Sequence, residues 1–313
     1  MRLDDHRFSD NVRDQRGQSF GGGGFGGGGG IMGLLFGLVL SRFGIGGVLI
    51  LLLGYCALGM VGGLGTGTGA GGGSGAVAPH QQAGQASRAT SSAAEACASD
   101  PAKRFTCQVL ASTEDTWTQL FQTNGQRYQA PGLDFYTRGG QSGCGAAQSA
   151  MGPFYCPTDN KIYIDVTFFS ELQTRFGAQG DFAQAYVIAH EVGHHIQNLT
   201  GVLDRARRQQ SGVSSREGNA VQVRVELQAD CYAGVYAANA RDRQGQSVME
   251  PGDLEEGLRA AQAIGDDTLQ QQSQGRVSPE SFTHGTAAQR SAWLRRGFES
   301  RDPAQCDTFS GAI

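Results

Sequence analysis

The chain has 313 residues, enough for one globular domain with appendages. Its formal net charge of -4 offers no basic surface for nucleic acid. The 49 glycines far exceed ordinary usage and crowd into the first quarter, which is therefore not ordinary globular sequence.

Residues 1–30 begin with interspersed Arg and Asp and run into Gly21–Gly24 and Gly26–Gly30. Such a composition reads as a flexible tail without a core. No Gly-Lys-Ser/Thr follows the glycines, so they do not make a phosphate loop. Residues 31–61 are apolar apart from Arg42, and Phe43 to Val61 carries no charge. That core suits one transmembrane helix of about 20 residues, longer than the apolar core of a cleaved signal peptide. Arg2, Arg7, Arg13, Arg16 and Arg42 precede the span, and no Lys or Arg follows it until Arg88. The bias predicts a cytoplasmic membrane protein with a cytoplasmic amino terminus and a periplasmic or extracellular catalytic domain. Residues 62–94, rich in Gly, Ala, Ser and Gln, read as a tether, with His80 a solvated residue in it.

The folded domain is expected over 95–313. Asp100-Pro101 starts one helix, with Pro at its first position, and Ser112-Thr113-Glu114-Asp115 starts another that stops at Gly125. Residues 133–136 and 161–166 have strand character, and 168–176 forms a short helix. Six cysteines lie in this region, beside Cys56 in the span, and an even number in an exported domain points to disulfides. Six allow about 15 pairings. The pairing expected is Cys97–Cys107, Cys144–Cys156 and Cys231–Cys306, the first two closing short loops.

The next helix opens at Asp181, read as its N-cap with Gln184 at the capping-box position, and ends at Gly201. It carries His190-Glu191-x-x-His194 between Val187, Ile188, Val192 and Ile196. Histidines four apart share a helix face and can bind one zinc ion. Glu191 beside them can take a proton from water at the metal. Two surface histidines are the bland alternative. The apolar neighbours argue against it, because a buried His-Glu-His cluster without a metal is left unsatisfied. His195 points to another face, as a packing residue or a support to the site.

A long helix over 217–239, started by Ser214 with Glu217 three residues on, brings Glu226 and Asp230 to one face. Glu226 is the candidate third ligand. Asp230 is placed to accept the second N–H of a ligand histidine. Ala229, Ala233 and Gly234 are small enough for close approach to the histidine helix. The bland alternative for both acids is a solvated face.

His190-Glu191-x-x-His194 followed by Glu226-x-x-x-Asp230 resembles the gluzincins, among them the CAAX prenyl endopeptidases and their bacterial HtpX relatives. A closer resemblance, over most of the chain, is to a bacterial family of single-pass membrane neutral zinc metallopeptidases. It rests on Ser9-Asp10-Asn11-Val12, Arg16-Gly17, Gly152 to Pro157, Ile162 to Asp165, Gly180 to Val187, Glu226 to Cys231 and Thr283-His284-Gly285. The resemblance implies a zincin-like, mostly helical α+β domain with a small sheet, one zinc ion and proteolysis. In zinc peptidases of this shape a strand beside the cleft can pair with the substrate backbone. Residues 161–166, with Tyr163 and Asp165, are assigned that part; an ordinary half-buried strand is the alternative.

Asp253 is expected to cap a further helix, and 270–277 to form a Gln-rich loop. His284 precedes a helix with Arg290, Trp293 and Leu294. The CAAX endopeptidases carry Thr/Ser-His-Pro before a helix with an arginine, which implies an oxyanion donor at His284; Gly285 replaces the proline. A helix-cap histidine is the alternative. The expected activity is membrane-anchored, zinc-dependent endopeptidase hydrolysis of a peptide or protein substrate, with Glu191 as general base. Two other readings stand beside it: a metal-stabilised scaffold without catalysis, and a zinc amidase acting on cell-wall amides.

Overall fold

The structure, a computed structural model, describes residues 1–16 and 92–313. The expected span at 31–61 lies outside the described residues, as do the glycine run, His80 and Cys56. Among the described residues no helix is long and apolar enough to cross a membrane.

The domain is mostly helical with a small mixed sheet. Strands β1 (Val12–Asp14), β2 (Gly132–Phe135), β5 (Phe154–Cys156) and β6 (Lys161–Ile164) form one sheet in the order β1-β2-β6-β5. The β1–β2 and β2–β6 pairs are parallel and the β5–β6 pair antiparallel. Strands β3 (Gly139–Ser142) and β4 (Gly145–Gln148) make a separate hairpin. β6 is therefore an inner strand with both edges paired, which corrects its assignment to substrate. Tyr163 is buried with its hydroxyl on Asp159, and Asp165 is buried and accepts from the N–H of Arg138 and from Ser149 and Thr167. They shape the sheet and its turns. The edge strands of this sheet are β1 and β5.

Residues 1–16 are not a tail. Leu133 donates to the Asn11 carbonyl, and Val12, Arg13 and Asp14 pair in register with Leu133, Asp134 and Phe135. Ser9 and Asn11 both bond Glu114 Oε1, at 2.5 and 2.8 Å, and Asp14 holds the fully buried Lys103. The Met1 ammonium contacts Asp181, Glu250 and Asp253. Several of the segment's charges, which look like solvated composition, find partners 89 to 252 residues away. This also corrects the expected topology. A cytoplasmic amino terminus and a catalytic domain outside cannot both hold in a molecule that contains the β1–β2 ladder.

Burial of Leu3 and Val12 contributes about 3–6 kcal/mol at the usual 1.5–3 kcal/mol per side chain. A chain starting at residue 92 is expected to lose at least that stability in denaturant titration. Joining 1–16 to 92–313 through a short Gly/Ser linker is expected to restore it. Equal stability with and without 1–16 would show the segment to be dispensable.

The helices are α1 (Ala93–Ala98), α2 (Pro101–Thr123), α3 (Thr167–Thr174), α4 (Asp181–Leu199), α5 (Val202–Gln210), α6 (Ser215–Asn239), α7 (Asp253–Ala263), α8 (Asp266–Gln274) and α9 (Ala287–Ser300). α2 runs unbroken where two helices were expected. The Thr113 hydroxyl bonds back to the Leu110 carbonyl, and Glu114 and Asp115 are engaged by Ser9, Asn11 and Arg7, so these side chains do not cap a new helix. The Gln-rich stretch expected as a loop forms α8 up to Gln274. Asp181 is the first residue of α4, not its cap; Glu256, from α7, accepts the Phe182 N–H instead. Asp253 is likewise the first residue of α7, after Gly252. Ser214 caps α6 in a full capping box with Glu217, as expected.

α4 and α6 cross closely. A Cβ on Gly193 would lie 2.9 Å from the Ala229 carbonyl oxygen, so only glycine permits this approach, between His190 and His194. Ala229 thus plays the expected part, whereas Gly234 faces α9. Disulfides join Cys97–Cys107, Cys144–Cys156 and Cys231–Cys306, the pairs expected, and the last ties α6 to the carboxy-terminal segment.

Candidate metal centre

Helical periodicity puts His190 and His194 one turn apart on α4, and α6 delivers Glu226 to the same place. One ligand atom from each lies within 4.8 Å of the others. Glu226 Oε2 is 3.2 Å from His190 Nε2 and 3.6 Å from His194 Nε2. All three side chains are buried or nearly so.

The outer hydrogen bonds fix which ring nitrogens are free. His190 Nδ1 lies 2.8 Å from Asp230 Oδ1, and a carboxylate only accepts, so Nδ1 carries the proton. His194 Nδ1 lies 2.9 Å from Gln197 Oε1. The Gln197 amide nitrogen donates to Val225 O and Gln228 Oε1, so its oxygen faces the ring and His194 Nδ1 also carries the proton. Both Nε2 lone pairs therefore point at the Glu226 carboxylate. Three electron-rich atoms in that arrangement repel one another unless a cation, metal or proton, lies among them. Two imidazole nitrogens and one carboxylate oxygen are a donor set suited to zinc.

The electrostatics agree. Burial works against a charged His190, but Asp230 and Glu226 outweigh it and raise its pKa to about 10. Burial also opposes the Glu226 charge, yet His194, His284 and His190 hold its carboxyl well below the usual range. Asp230 is fully buried. Burial opposes its charge too, and Arg290 and His190 pull its pKa down to about 2. Arg290 grips it through Nε and NH2, at 2.9 and 3.0 Å, and Tyr186 donates its hydroxyl to Oδ1.

Glu191 differs from its neighbours. It is buried, its pKa is raised, first by that burial, and its Oε2 has no hydrogen-bond partner among the described residues. A buried carboxylate oxygen without a donor is costly, and such sites mark reactive groups.

His284 lies on the loop before α9. Asp266, the first residue of α8, accepts the backbone N–H groups of Thr283, His284 and Gly285 and faces His284 Nδ1 at 3.3 Å. Gly285 would press a Cβ against Val223 and Leu227, on either side of Glu226 in α6, so the loop packs beside the centre. Its φ of +89° is closed to proline. That is the physical reason the Thr-His-Pro pattern of the CAAX enzymes gives way here. Burial opposes a charged His284, but Glu226 and Asp266 raise its pKa.

His195 turns away into the sheet. Its Nε2 donates to Gln129 O at 2.6 Å, and Tyr155 donates to its Nδ1 at 3.0 Å. Burial pushes its pKa down to about 4, so the ring is a neutral strut between α4 and β5. Sequence reasoning passed over Gln197, Asp266 and Tyr186. Gln197, three residues after His194, shares its helix face, and that spacing was the available signal.

A family model described as "Putative neutral zinc metallopeptidase" matches residues 1–309, amino-terminal segment included. The chain is 47% identical over 318 residues to "Uncharacterized protein YpfJ" of Escherichia coli K12, covering 100% of both. It is 46% identical over 223 residues to "Uncharacterized protein Rv2575" of Mycobacterium tuberculosis, covering 67% of this chain and 73% of the relative. No solved structure matches it.

Proposed function

Since the chain belongs to the neutral zinc metallopeptidase family, we propose that it is a zinc-dependent endopeptidase whose centre is His190, His194 and Glu226. The observation that carries this reading is the convergence of two Nε2 lone pairs and a carboxylate oxygen beside the unpartnered, buried Glu191. A purely structural metal site needs no such base.

Zinc, when bound by those three side chains, supplies Lewis acidity toward a peptide carbonyl and toward water. Glu191 takes the proton of the attacking water and passes it to the leaving amine; its raised pKa suits both steps. Asp230, backed by Arg290, holds His190 in the tautomer with Nε2 free. His284, whose charged form burial opposes but Glu226 and Asp266 favour, donates to the developing oxyanion. The substrate backbone adds to the outer edge of β5, the edge strand that Tyr155 ties to α4.

Three disulfides suit an oxidising compartment. They support a domain outside the cytoplasm, and the shared sheet supports residues 1–16 on the same side. The apolar run at 31–61 is proposed to bind the membrane without crossing it once, because a single crossing would separate residues 1–16 from the sheet they share with 92–313.

The test is cleavage of an unstructured peptide library by the full chain in detergent, with a chelator and zinc add-back. Cleavage at internal bonds that follows zinc supports the reading. A zinc-loaded, folded protein that leaves every peptide intact, or that releases only cell-wall amides, overturns it. Within the same assay, His284→Ala is expected to keep zinc and fold and to lose about 10²–10³ in kcat with KM little changed. An unchanged kcat would leave His284 as a loop-packing residue. Loss of zinc would make it a ligand.

A further inference from the structure

Four groups, three of them buried and His194 nearly so, form a one-way chain of hydrogen bonds leading away from the metal centre. His194 Nδ1 donates to Gln197 Oε1 at 2.9 Å. Gln197 Nε2 donates to Gln228 Oε1 at 3.1 Å and to Val225 O at 2.7 Å. Gln228 Nε2 donates to the carbonyl of Cys306 at 2.8 Å. Gln197 and Cys306 are fully buried and Gln228 nearly so, and Cys306 is fixed by its disulfide to Cys231 on α6. Each amide could in principle be turned end for end. Here the terminal carbonyl and Val225 O accept only, so they leave one orientation in which every group is satisfied.

From this chain we infer that Gln197 is a positioning residue for His194, acting as a neutral counterpart to Asp230 at His190. It accepts the Nδ1 proton, which leaves Nε2 as the metal-facing nitrogen. Without that acceptor, His194 could place its proton on either nitrogen and its ring could turn about χ2. The inference rests on the zinc reading above but concerns a residue that touches neither metal nor substrate. It also makes the two histidines unequal. His190 is backed by a carboxylate and so is the more basic ligand; His194 is backed by an amide, which orients the ring without adding charge.

Zinc affinity, read by competition with a chromogenic chelator, tests this without relying on activity. The full chain in detergent should bind one zinc per chain. If it binds none, the zinc reading itself fails. In Gln197→Leu, which keeps the bulk and removes the acceptor, zinc affinity should fall about 10–100-fold. The visible spectrum of the cobalt-substituted protein should change with it. Gln197→Glu, which keeps an acceptor for Nδ1, should hold zinc more tightly than the leucine variant. Wild-type affinity and an unchanged cobalt spectrum in Gln197→Leu would overturn the inference. If the leucine variant does not fold, nitrogen NMR of the zinc-loaded wild type decides. Zinc on His194 Nε2, with an exchange-protected Nδ1–H, supports the inference, and zinc on Nδ1 overturns it.

Discussion

Glu191→Gln is expected to bind zinc as the parent does and to lose about 10²–10⁴ in kcat, the usual worth of a positioned general base. The substitution changes the shape of the side chain little and its basicity completely. None of the bonds that hold His190, His194 and Glu226 runs through Glu191, so the donor set survives. KM should move little, because the lost interaction belongs to proton transfer rather than to binding. A second consequence follows from the buried, unpartnered carboxylate. Its pKa is raised in the fold, so stability falls as pH rises from the unfolded value near 4.5 through the raised folded value, and the loss is complete only above the latter. The glutamine variant escapes it. Zinc-free Glu191→Gln should therefore unfold at the same temperature as the parent or higher, the pattern expected when a site holds strain for function. Peptide assays, zinc analysis and thermal unfolding read the three outcomes. Activity within tenfold of the parent would remove Glu191 as the base.

How much of this was legible follows from where each residue finds its partners. His190, Glu191, His194, Glu226 and Asp230 were legible because helix periodicity alone decides which side chains share a face. The capping box of Ser214 and Glu217 is local as well, and it identified the N-cap of α6. Where the partner is remote, sequence reasoning failed. The start of α4 looked like an Asp181 cap, because Glu256, which satisfies the Phe182 N–H, lies 74 residues away. β6 looked like a half-exposed strand. Its burial on both edges depends on β2 and β5, and strand order is not written in alternation. The amino-terminal segment is the extreme case. Asp14 and Lys103 are 89 residues apart, and Ser9 and Glu114 are 105 apart, so composition showed only scattered charge. Gln197 was missed for another reason. An amide carries no signature of metal chemistry, and its part becomes visible only once Val225 and Gln228 settle which way it points.

The other large effect is expected from Glu226→Ala, which should leave the purified chain with no stoichiometric zinc. Two neutral imidazoles remain, and the one anionic donor facing them is gone. Asp230 cannot take its place, since its oxygens are engaged by Arg290, Tyr186 and His190 Nδ1 on the far side of the ring. The loss has a thermodynamic signature apart from activity. A ligand that binds only the folded state stabilises it by RT ln(1 + [L]/Kd), about 4.1 kcal/mol at a thousandfold excess over Kd. The parent should therefore melt at a clearly lower temperature once a chelator is added. In Glu226→Ala the two curves should coincide, near that of the zinc-free parent or below it, because truncation also leaves a gap in α6 and frees the Gln222 amide that bonds Glu226 Oε1. Glu226→Gln separates these causes. It keeps the volume and a weak carbonyl donor, so it should lose most zinc affinity while its zinc-free melting stays near the parent's. Stoichiometric zinc in Glu226→Ala, with a chelator-sensitive melting temperature, would exclude Glu226 as a ligand and leave His284, whose loop packs against α6 beside it, as the remaining candidate.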